Sequence, residues 1–432
     1  MIRVLIIGYV WPEPNSSAAG SRMLQLIELF LQQGWQLTYA SPAADSDHMA
    51  DVEALGVTKV SIELNSDSFD RFVQRCAPDI VMFDRFMMEE QFGWRVEKQC
   101  PQALRLLDTE DLHCLRQARH QALKQQREMS QQDLVGDLAL REVASILRCD
   151  LALMISDVEI ELLQQRFNVP SALLHHCRFM LPAVDAAQQG SWPTFEQRQH
   201  FISIGNFRHA PNWDAVLYLK QTIWPLIRQQ LPQAQLHIYG AYPPPKATQL
   251  HNPVQGFHVD GWAEDAPAVM RSARVCLAPL RFGAGIKGKL VEAMQCGTPS
   301  VTTAIGAEAM HDQLSWNGFI EDQPQAFADQ AVQLYRDRPL WQQQQSHGAT
   351  LINRCYDGLV LGALLIERIE QLRQGLDQHR LDNFTGAMLR HHSMKSLQYM
   401  SQWIEVKTRH QALIDNPAQV QAESSVEEEP SS

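Results

Sequence analysis

Short apolar runs that end near a glycine alternate with helical segments along this chain, and this alternation limits the fold most strongly. The first run covers residues 2–7 and is followed by Gly8. A continuous apolar run of this length is typical of a strand that is buried on both faces of a parallel sheet. A segment with apolar residues at helical spacing follows at 21–33. Similar runs predict strands at 36–40, 59–62, 80–83, 104–107 and 151–155. The pattern predicts a doubly wound α/β domain.

The alternation fades in a Gln-, Gly- and Pro-containing stretch at 185–199 and then begins again. At about 150 residues per domain, 432 residues predict at least two domains. We therefore expect an N-terminal domain at 1–195, a second α/β domain at 196–372, a helical segment at 373–416 and a disordered acidic tail at 417–432. Two such domains would face a cleft, because open α/β sheets bind ligands beyond the carboxyl ends of their strands.

The overall charge excludes some partners. Lys and Arg total 37 against 49 Asp and Glu, which gives a net charge of −12. This balance disfavours broad attraction to nucleic acid.

No apolar stretch reaches the roughly 20 residues that a membrane-spanning helix needs. The eight cysteines are scattered, without CxxC or zinc-type spacing, so we expect reduced thiols in a cytoplasmic protein and no metal site.

One glycine-rich loop is a candidate for phosphate binding. It follows the apolar run that ends at Leu280, contains Gly283 and Gly285, and precedes a helix that begins near Lys287. Glycines allow a close backbone approach, and the start of a helix offers unpaired amides to an anion. The spacing matches neither the P-loop nor the dinucleotide GxGxxG signature. The residues alone therefore leave a phosphate site and an ordinary strand-to-helix turn equally open.

A family resemblance favours the phosphate site. Residues 283–297 read GAGIKGKLVEAMQCG and resemble the donor-binding segment of retaining glycosyltransferases of family 4, which have the GT-B fold. Residues 201–216 are similar to the strand and helix that open the C-terminal domain of that family, and 259–262 are similar to its turn beside the nucleobase. The resemblance implies two Rossmann-like domains and transfer of a sugar from a nucleoside diphosphate sugar with retention of configuration.

The resemblance also implies roles for single residues. Glu292 resembles the glutamate that binds the ribose hydroxyls, and Lys287 and Arg208 resemble the basic pair that holds the diphosphate. Because these cations take the place of a metal, no metal or other cofactor is expected beside the donor. The family usually has a second glutamate at the position of Ala284, so the donor sugar stays open. Further donor contacts are expected from Gly205, Gly261, Trp262, Gly283, Ala284 and Gly285.

Two N-terminal segments are candidates for the acceptor side. Gly8, Gly20 and Ser21 resemble the family's mobile loop after the first strand, although a turn and a helix cap explain them equally well. The segment LDTEDLH follows the predicted strand 104–107. We expect Asp108, Asp111 and His113 to contact the acceptor there, with a capping role for one aspartate as the alternative. His113 joins Glu292, Lys287 and Arg208 as a catalytic candidate.

A basic strip at 116–127 predicts either a solvated helix face or a surface for anionic lipid. The second reading would suit a peripheral enzyme at the inner face of a membrane. The expected acceptor is a saccharide, a lipid-linked molecule or another hydroxyl compound, in surface polysaccharide or glycoconjugate synthesis. Two alternatives remain: a nucleotide-sugar epimerase, and a non-catalytic nucleotide-sugar-binding component of a polysaccharide assembly.

Overall fold

The computed structural model describes residues 1–415, and the first half forms a seven-stranded parallel sheet. Its strands are β1 Arg3–Ile7, β2 Gln36–Ser41, β3 Thr58–Ser61, β4 Ile80–Asp84, β5 Leu104–Asp108, β6 Leu151–Met154 and β7 Leu174–His176. Their order in the sheet is β3-β2-β1-β4-β5-β6-β7. The predicted tail at 417–432 lies outside the described residues.

Helices cover both faces of this sheet. They are α1 Ala18–Gln32, α2 Ser68–Cys76, α3 Phe86–Gln99, α4 His113–Lys124, α5 Asp137–Arg148 and α6 Asp157–Phe167. Leu5 and Ile7 of β1 pack into one core, while Val4 and Ile6 pack into another. The apolar part of β1, residues 4–7, is therefore buried on both faces, as its sequence predicted.

The second half forms a six-stranded parallel sheet after the linker helix α7 Ala186–Ser191. Its strands are β8 Gln199–Ile204, β9 Leu236–Tyr239, β10 Phe257–Gly261, β11 Ala273–Ala278, β12 Ser300–Thr302 and β13 Gly318–Ile320. Their order is β10-β9-β8-β11-β12-β13, which is the Rossmann order. The helices are α8 Ala210–Tyr218, α9 Trp224–Gln230, α10 Pro245–Thr248, α11 Ala266–Ser272, α12 Gly288–Gln295, α13 Ala304–Ala307, α14 Pro324–Arg336 and α15 Arg338–Cys355. Two doubly wound sheets confirm the predicted α/β class.

Three C-terminal helices return to the N-terminal domain: α16 Gly358–Gln374, α17 Leu376–Asp382 and α18 Phe384–Asp415. Leu365 and Ile369 of α16 lie in the core that contains Val4 and Ile6. The predicted second domain, 196–372, includes α16. The buried side chains of α16 pack in the first domain instead. Among residues 1–415, no helix combines the length and apolar character needed to cross a bilayer.

The return of α16 can be tested with two neighbouring leucines. Leu365 is fully buried, and Leu364 is 50% exposed. Leu365→Ala should lower the free energy of unfolding by about 2–5 kcal/mol, because it leaves a cavity in a packed core. Leu364→Ala should change it by less than about 0.5 kcal/mol. Urea denaturation measures both, and equal effects would contradict the packing of α16.

Candidate functional site at the domain cleft

Glycine loops form the wall of the cleft on the side of the second domain. The N–H of Gly205, after β8, donates to the Tyr239 carbonyl at 3.0 Å, and the N–H of Gly240, after β9, donates to the Gly261 carbonyl at 2.7 Å. A Cβ atom on Gly240 would lie 2.1 Å from the Gly205 carbonyl oxygen. These loops therefore pack backbone against backbone, which only glycine at position 240 allows.

Helix α12 places a partly buried cation and a partly buried carboxylate beside this wall. Lys289 Nζ donates to Asn212 Oδ1 at 2.8 Å, and a Cβ atom on Gly205 would lie 2.8 Å from the same Nζ. Burial lowers the pKa of Lys289 to about 8. Burial and the nearby Asp265 raise the pKa of Glu292 to about 7. The Lys289 and Glu292 charges interact with each other, and sequence reasoning missed Lys289, although it follows Lys287 by two residues.

The predicted basic pair of Lys287 and Arg208 is arranged differently. Lys287 Nζ donates to the Gly285 carbonyl at 2.6 Å, and burial lowers its pKa to about 8. The charges around it include Glu308 and Arg119, so it faces the domain interface. Arg208 is exposed, and its guanidinium lies 3.5 Å from the centre of the Tyr242 ring. Lys289 is therefore better placed than Lys287 to meet an anion beside Gly205.

Side chains of the N-terminal domain hold the glycine-rich loop. Arg119 donates to the Gly283 carbonyl at 2.8 Å and forms two 2.7 Å bonds with Glu308. Glu159 Oε1 accepts the N–H of Gly285 at 2.8 Å and that of Leu112 at 3.0 Å. The sequence analysis expected Gly285 to contact the donor. Its amide is hydrogen-bonded to Glu159 instead.

The contact between Gly285 and the N-terminal domain is also close and buried. Gly285 has a φ of +63°, and a Cβ atom there would lie 2.8 Å from the Cβ of Asp111. Ala284 packs into the N-terminal core. Burial raises the pKa of Glu159 to about 8. Its Oε2 atom has no hydrogen-bond partner among residues 1–415.

A second bridge crosses the cleft near the predicted nucleobase turn. Tyr242 Oη donates to Glu13 Oε1 at 2.8 Å. The His48 ring stacks on the Trp262 ring with centroids 4.5 Å apart, and it also meets the Tyr242 ring edge-on. Trp262 is 39% exposed and therefore still accessible from the cleft.

The loop after β1 supports this bridge. A Cβ atom on Gly20 would lie 2.4 Å from the backbone of Glu13, and one on Gly8 would lie 2.1 Å from Tyr39 Oη. Ser21 Oγ donates to the Pro14 carbonyl at 2.9 Å. Gly8, Gly20 and Ser21 thus position the segment that carries Glu13.

The predicted acceptor residues divide into buried and accessible groups. Asp108 is fully buried and pairs with Arg22, whose Nη2 lies 3.0 Å from Asp108 Oδ1. This placement leaves it no surface for an acceptor. Asp111 forms a short ion pair with Arg116 and lies 3.6 Å from His113 Nε2. Burial lowers the pKa of His113 to about 4, and, against the effect of burial, Arg116 holds the pKa of Asp111 at about 2.

Glu110 is a part-exposed candidate that the sequence analysis did not single out. It lies just beyond β5 with a φ of +63°, and Arg85 lies just beyond the neighbouring β4 with a φ of +69°. Left-handed conformations in non-glycine residues are strained and cluster at functional sites. Burial, Asp108 and Asp84 raise the pKa of Glu110 well above its ordinary value. Its presence in LDTEDLH was visible in the sequence, but its conformation was not.

A cavity of about 340 Å³ lies between the two domains beside these groups. Its lining residues are Phe86, Met87, His113, Arg116, Gln117, His120, Leu138, Ala210 and Phe282. The His120 and Phe282 rings, which come from different domains, are parallel with centroids 4.2 Å apart. The cavity therefore combines aromatic faces with polar groups, as small-molecule sites do.

The basic strip at 116–127 lies largely within ion pairs. Arg116 pairs with Asp111, Arg119 with Glu308, and Arg127 with Asp133. The expected solvated or lipid-facing strip is thus mostly neutralised, and α4 borders the cleft. Among the described residues, no group of three or more His, Cys, Asp or Glu side chains could hold a metal ion, and all eight cysteines are free.

The structural role of Asp108 can be tested by substitution. Asp108→Ala should destabilise the protein by about 3–5 kcal/mol, because it leaves the Arg22 charge buried and unpaired. Asp79→Ala removes the exposed pair with Arg3 and the hydrogen bond from the Arg3 backbone N–H, and it should cost only about 1 kcal/mol. Chemical denaturation compares the two variants. Equal stability would restore Asp108 as a candidate for acceptor contact.

Residues 198–337 match the family model described as glycosyl transferases group 1. No curated protein sequence matches the chain. Solved structures are similar over most of it. The sucrose-phosphate synthase from Thermosynechococcus elongatus has a TM-score of 0.62 and 16% identity, over 86% of this chain and 99% of that one.

Two further structures have similar coverage. HepE from Anabaena, in complex with UDP and glucose, has a TM-score of 0.61 and 13% identity, over 86% of this chain and 100% of that one. WaaG, a glycosyltransferase involved in lipopolysaccharide biosynthesis, has a TM-score of 0.57 and 12% identity, over 84% and 98%. These likenesses confirm the predicted GT-B fold. The match at 198–337 makes the second domain similar to a glycosyltransferase domain.

Proposed function

We propose that the protein transfers a sugar from a nucleoside diphosphate sugar to an acceptor hydroxyl with retention of configuration, as in family 4. The observation that carries this proposal is the pair of Lys289 and Glu292 on α12, beside the backbone turn at Gly205. A partly buried cation and a carboxylate three residues apart suit the two ends of one ligand. The diphosphate is anionic, and the ribose presents hydroxyl donors.

In this proposal Lys289 and the amides at the start of α12 bind the diphosphate. Both stabilise the negative charge that grows on the leaving group, so the proposal assigns to them the part that a metal plays elsewhere. Glu292 accepts hydrogen bonds from the ribose hydroxyls, and Trp262 borders the base. The solved HepE structures hold UDP, glucose or UDP-glucose, which supports uridine diphosphate sugars as the first donors to test.

The acceptor enters from the N-terminal domain, where Glu110 and the cavity beside His113 lie. Its hydroxyl oxygen attacks the anomeric carbon on the face from which the diphosphate leaves. The bond from that carbon to the diphosphate oxygen breaks, the new glycosidic bond forms, and the hydroxyl proton passes to the departing diphosphate. Retention follows because the incoming and leaving groups share one face, and positioning contributes much of the rate.

We also propose that the reaction belongs to surface polysaccharide or glycoconjugate synthesis in the cytoplasm, with a saccharide or a lipid-linked molecule as acceptor. The likeness to WaaG supports this setting. The reaction is tested by incubating the protein with nucleotide sugars and candidate acceptors. Released nucleoside diphosphate is measured, and the anomeric configuration of the product is read by NMR.

We expect acceptor-dependent release of diphosphate and a product that keeps the donor's configuration. Glu292→Ala should lower kcat/KM by at least about tenfold, the loss of one good hydrogen-bonded contact. Donor binding without turnover on any acceptor would instead favour the non-catalytic component. Conversion of the donor sugar without an acceptor would favour an epimerase.

Donor binding distinguishes the two lysines. Lys289→Ala should weaken UDP binding by about 10–100-fold, since a hydrogen bond to a charged group contributes about 1.5–3 kcal/mol. Lys287→Ala should have a smaller effect, because the Lys287 ammonium donates to Gly285 instead. Lys246→Ala, at an exposed lysine of the same domain, is the control. Calorimetric titration with UDP measures all three, and a larger loss in Lys287→Ala would reverse the assignment.

A further inference from the structure

One face of α18 is packed against the N-terminal domain. Met394 is buried, with its Cε close to Gly93 of α3. Ser401 accepts a 3.4 Å hydrogen bond from Arg95, and Glu405 lies 3.5 Å from the same guanidinium. This 32-residue helix is thus fixed on the protein surface along one side.

The opposite face exposes a row of large apolar side chains, here called the aromatic stripe. Its members are Phe384, Met388, Tyr399, Trp403 and Val406, each between 47% and 74% exposed. They are separated by four, eleven, four and three residues, spacings that keep them on one side of a helix. The stripe extends for about 33 Å at 1.5 Å per residue.

The charges beside the stripe are cationic. Lys395 and Lys407 are exposed, and Lys407 Nζ lies 5.3 Å from the Trp403 ring. The carboxylate of Glu405 is bound by Arg95 and by Arg409, which lies 2.8 Å away. The whole chain carries a net charge of −12, so this positive face departs from the average. It is complementary to an anionic surface.

We propose that the aromatic stripe inserts into the surface of an anionic lipid bilayer. Trp and Tyr side chains prefer the headgroup level, where one end of the ring is apolar and the other is wet. Phe384, Met388 and Val406 supply apolar area for the acyl boundary, and the lysines meet the lipid phosphates. An interhelical seam would instead carry aliphatic residues at heptad positions.

The position of the aromatic stripe determines which side of the cleft lies near the bilayer. What this means for the acceptor rests on the proposed function. α18 packs on α3 and α5, in the domain that carries Glu110 and the wall of the cavity. Bilayer contact on this domain places the acceptor side, and not the donor side, near the lipid. A lipid-linked acceptor then reaches the cleft without leaving the membrane surface.

The test is co-sedimentation of the full chain with phosphatidylcholine vesicles, with and without one third phosphatidylglycerol. The wild type should pellet with the anionic vesicles, and added salt should weaken the binding. Tyr399→Ser with Trp403→Ser should reduce partitioning at least tenfold, and Lys395→Gln with Lys407→Gln should remove the salt dependence. Leu359→Ser and Val254→Ser alter apolar residues elsewhere that are even more exposed, and these variants should bind as the wild type does.

Circular dichroism and the melting temperature check that the variants fold, as expected for exposed positions. UDP titration separates this proposal from the proposed function, because the stripe variants should bind UDP unchanged. Failure of UDP binding in the wild type would therefore leave the lipid result intact. Absence of pelleting with anionic vesicles would overturn the proposal. So would a wild-type dimer in light scattering that the double serine variant abolishes, since a second copy would then cover the stripe.

Discussion

The contact of Glu159 with two backbone amides is the constraint on which the cleft depends. One carboxylate oxygen accepts from Leu112 in the N-terminal domain and from Gly285 in the second domain. A buried carboxylate is costly unless it is hydrogen-bonded, and backbone amides are donors that cannot move independently of their loops. The single side chain therefore fixes the loop that carries the acceptor candidates against the loop that precedes α12.

This constraint decides which groups of the second domain are already bonded within the protein. Because the Gly285 amide is bonded to Glu159 and the Lys287 ammonium to the Gly285 carbonyl, the tip of the glycine-rich loop is engaged with the protein itself. The next polar groups along the chain are Lys289, whose ammonium donates to Asn212, and Glu292. Gly285 thus serves close packing between the domains, and Gly240 serves close packing between loops. In the proposed function, the cation for the phosphate comes from α12.

The sequence predicted those parts of the structure that depend on local patterns. Mainly apolar runs marked β1, β4, β5 and β6, since a strand buried on both faces needs mostly apolar residues. The strands β7 and β13 were not predicted because each has three partly buried residues and no such run. The position of Asp108 was equally hidden. Its partner Arg22 lies 86 residues away, and a two-residue step along LDTEDLH separates the buried Asp108 from the part-exposed Glu110.

The return of α16 to the first domain depends on a contact between residues far apart in the chain. No local sequence pattern predicts such a contact. The chain leaves the first domain near Leu181 and returns near Asp357, and these two crossings are joined by backbone bonds. Leu181 N–H donates to the Tyr356 carbonyl at 2.8 Å, and Gly358 N–H donates to the Leu181 carbonyl at 2.9 Å. These backbone hydrogen bonds do not depend on the identity of the side chains at the crossings.

The contacts across the cleft have a different character, because they depend on the side chains of Glu159, Arg119 and Tyr242. Glu159 has its pKa raised to about 8 by burial, so its charge is open to change near neutral pH. A ligand, a proton or a substitution can therefore alter the cleft side of the interface while the crossings hold. Backbone hydrogen bonds thus join the two domains at the crossings, and side-chain contacts join them at the cleft. Only the second kind of contact can change with charge or ligand, which suits a site between two domains.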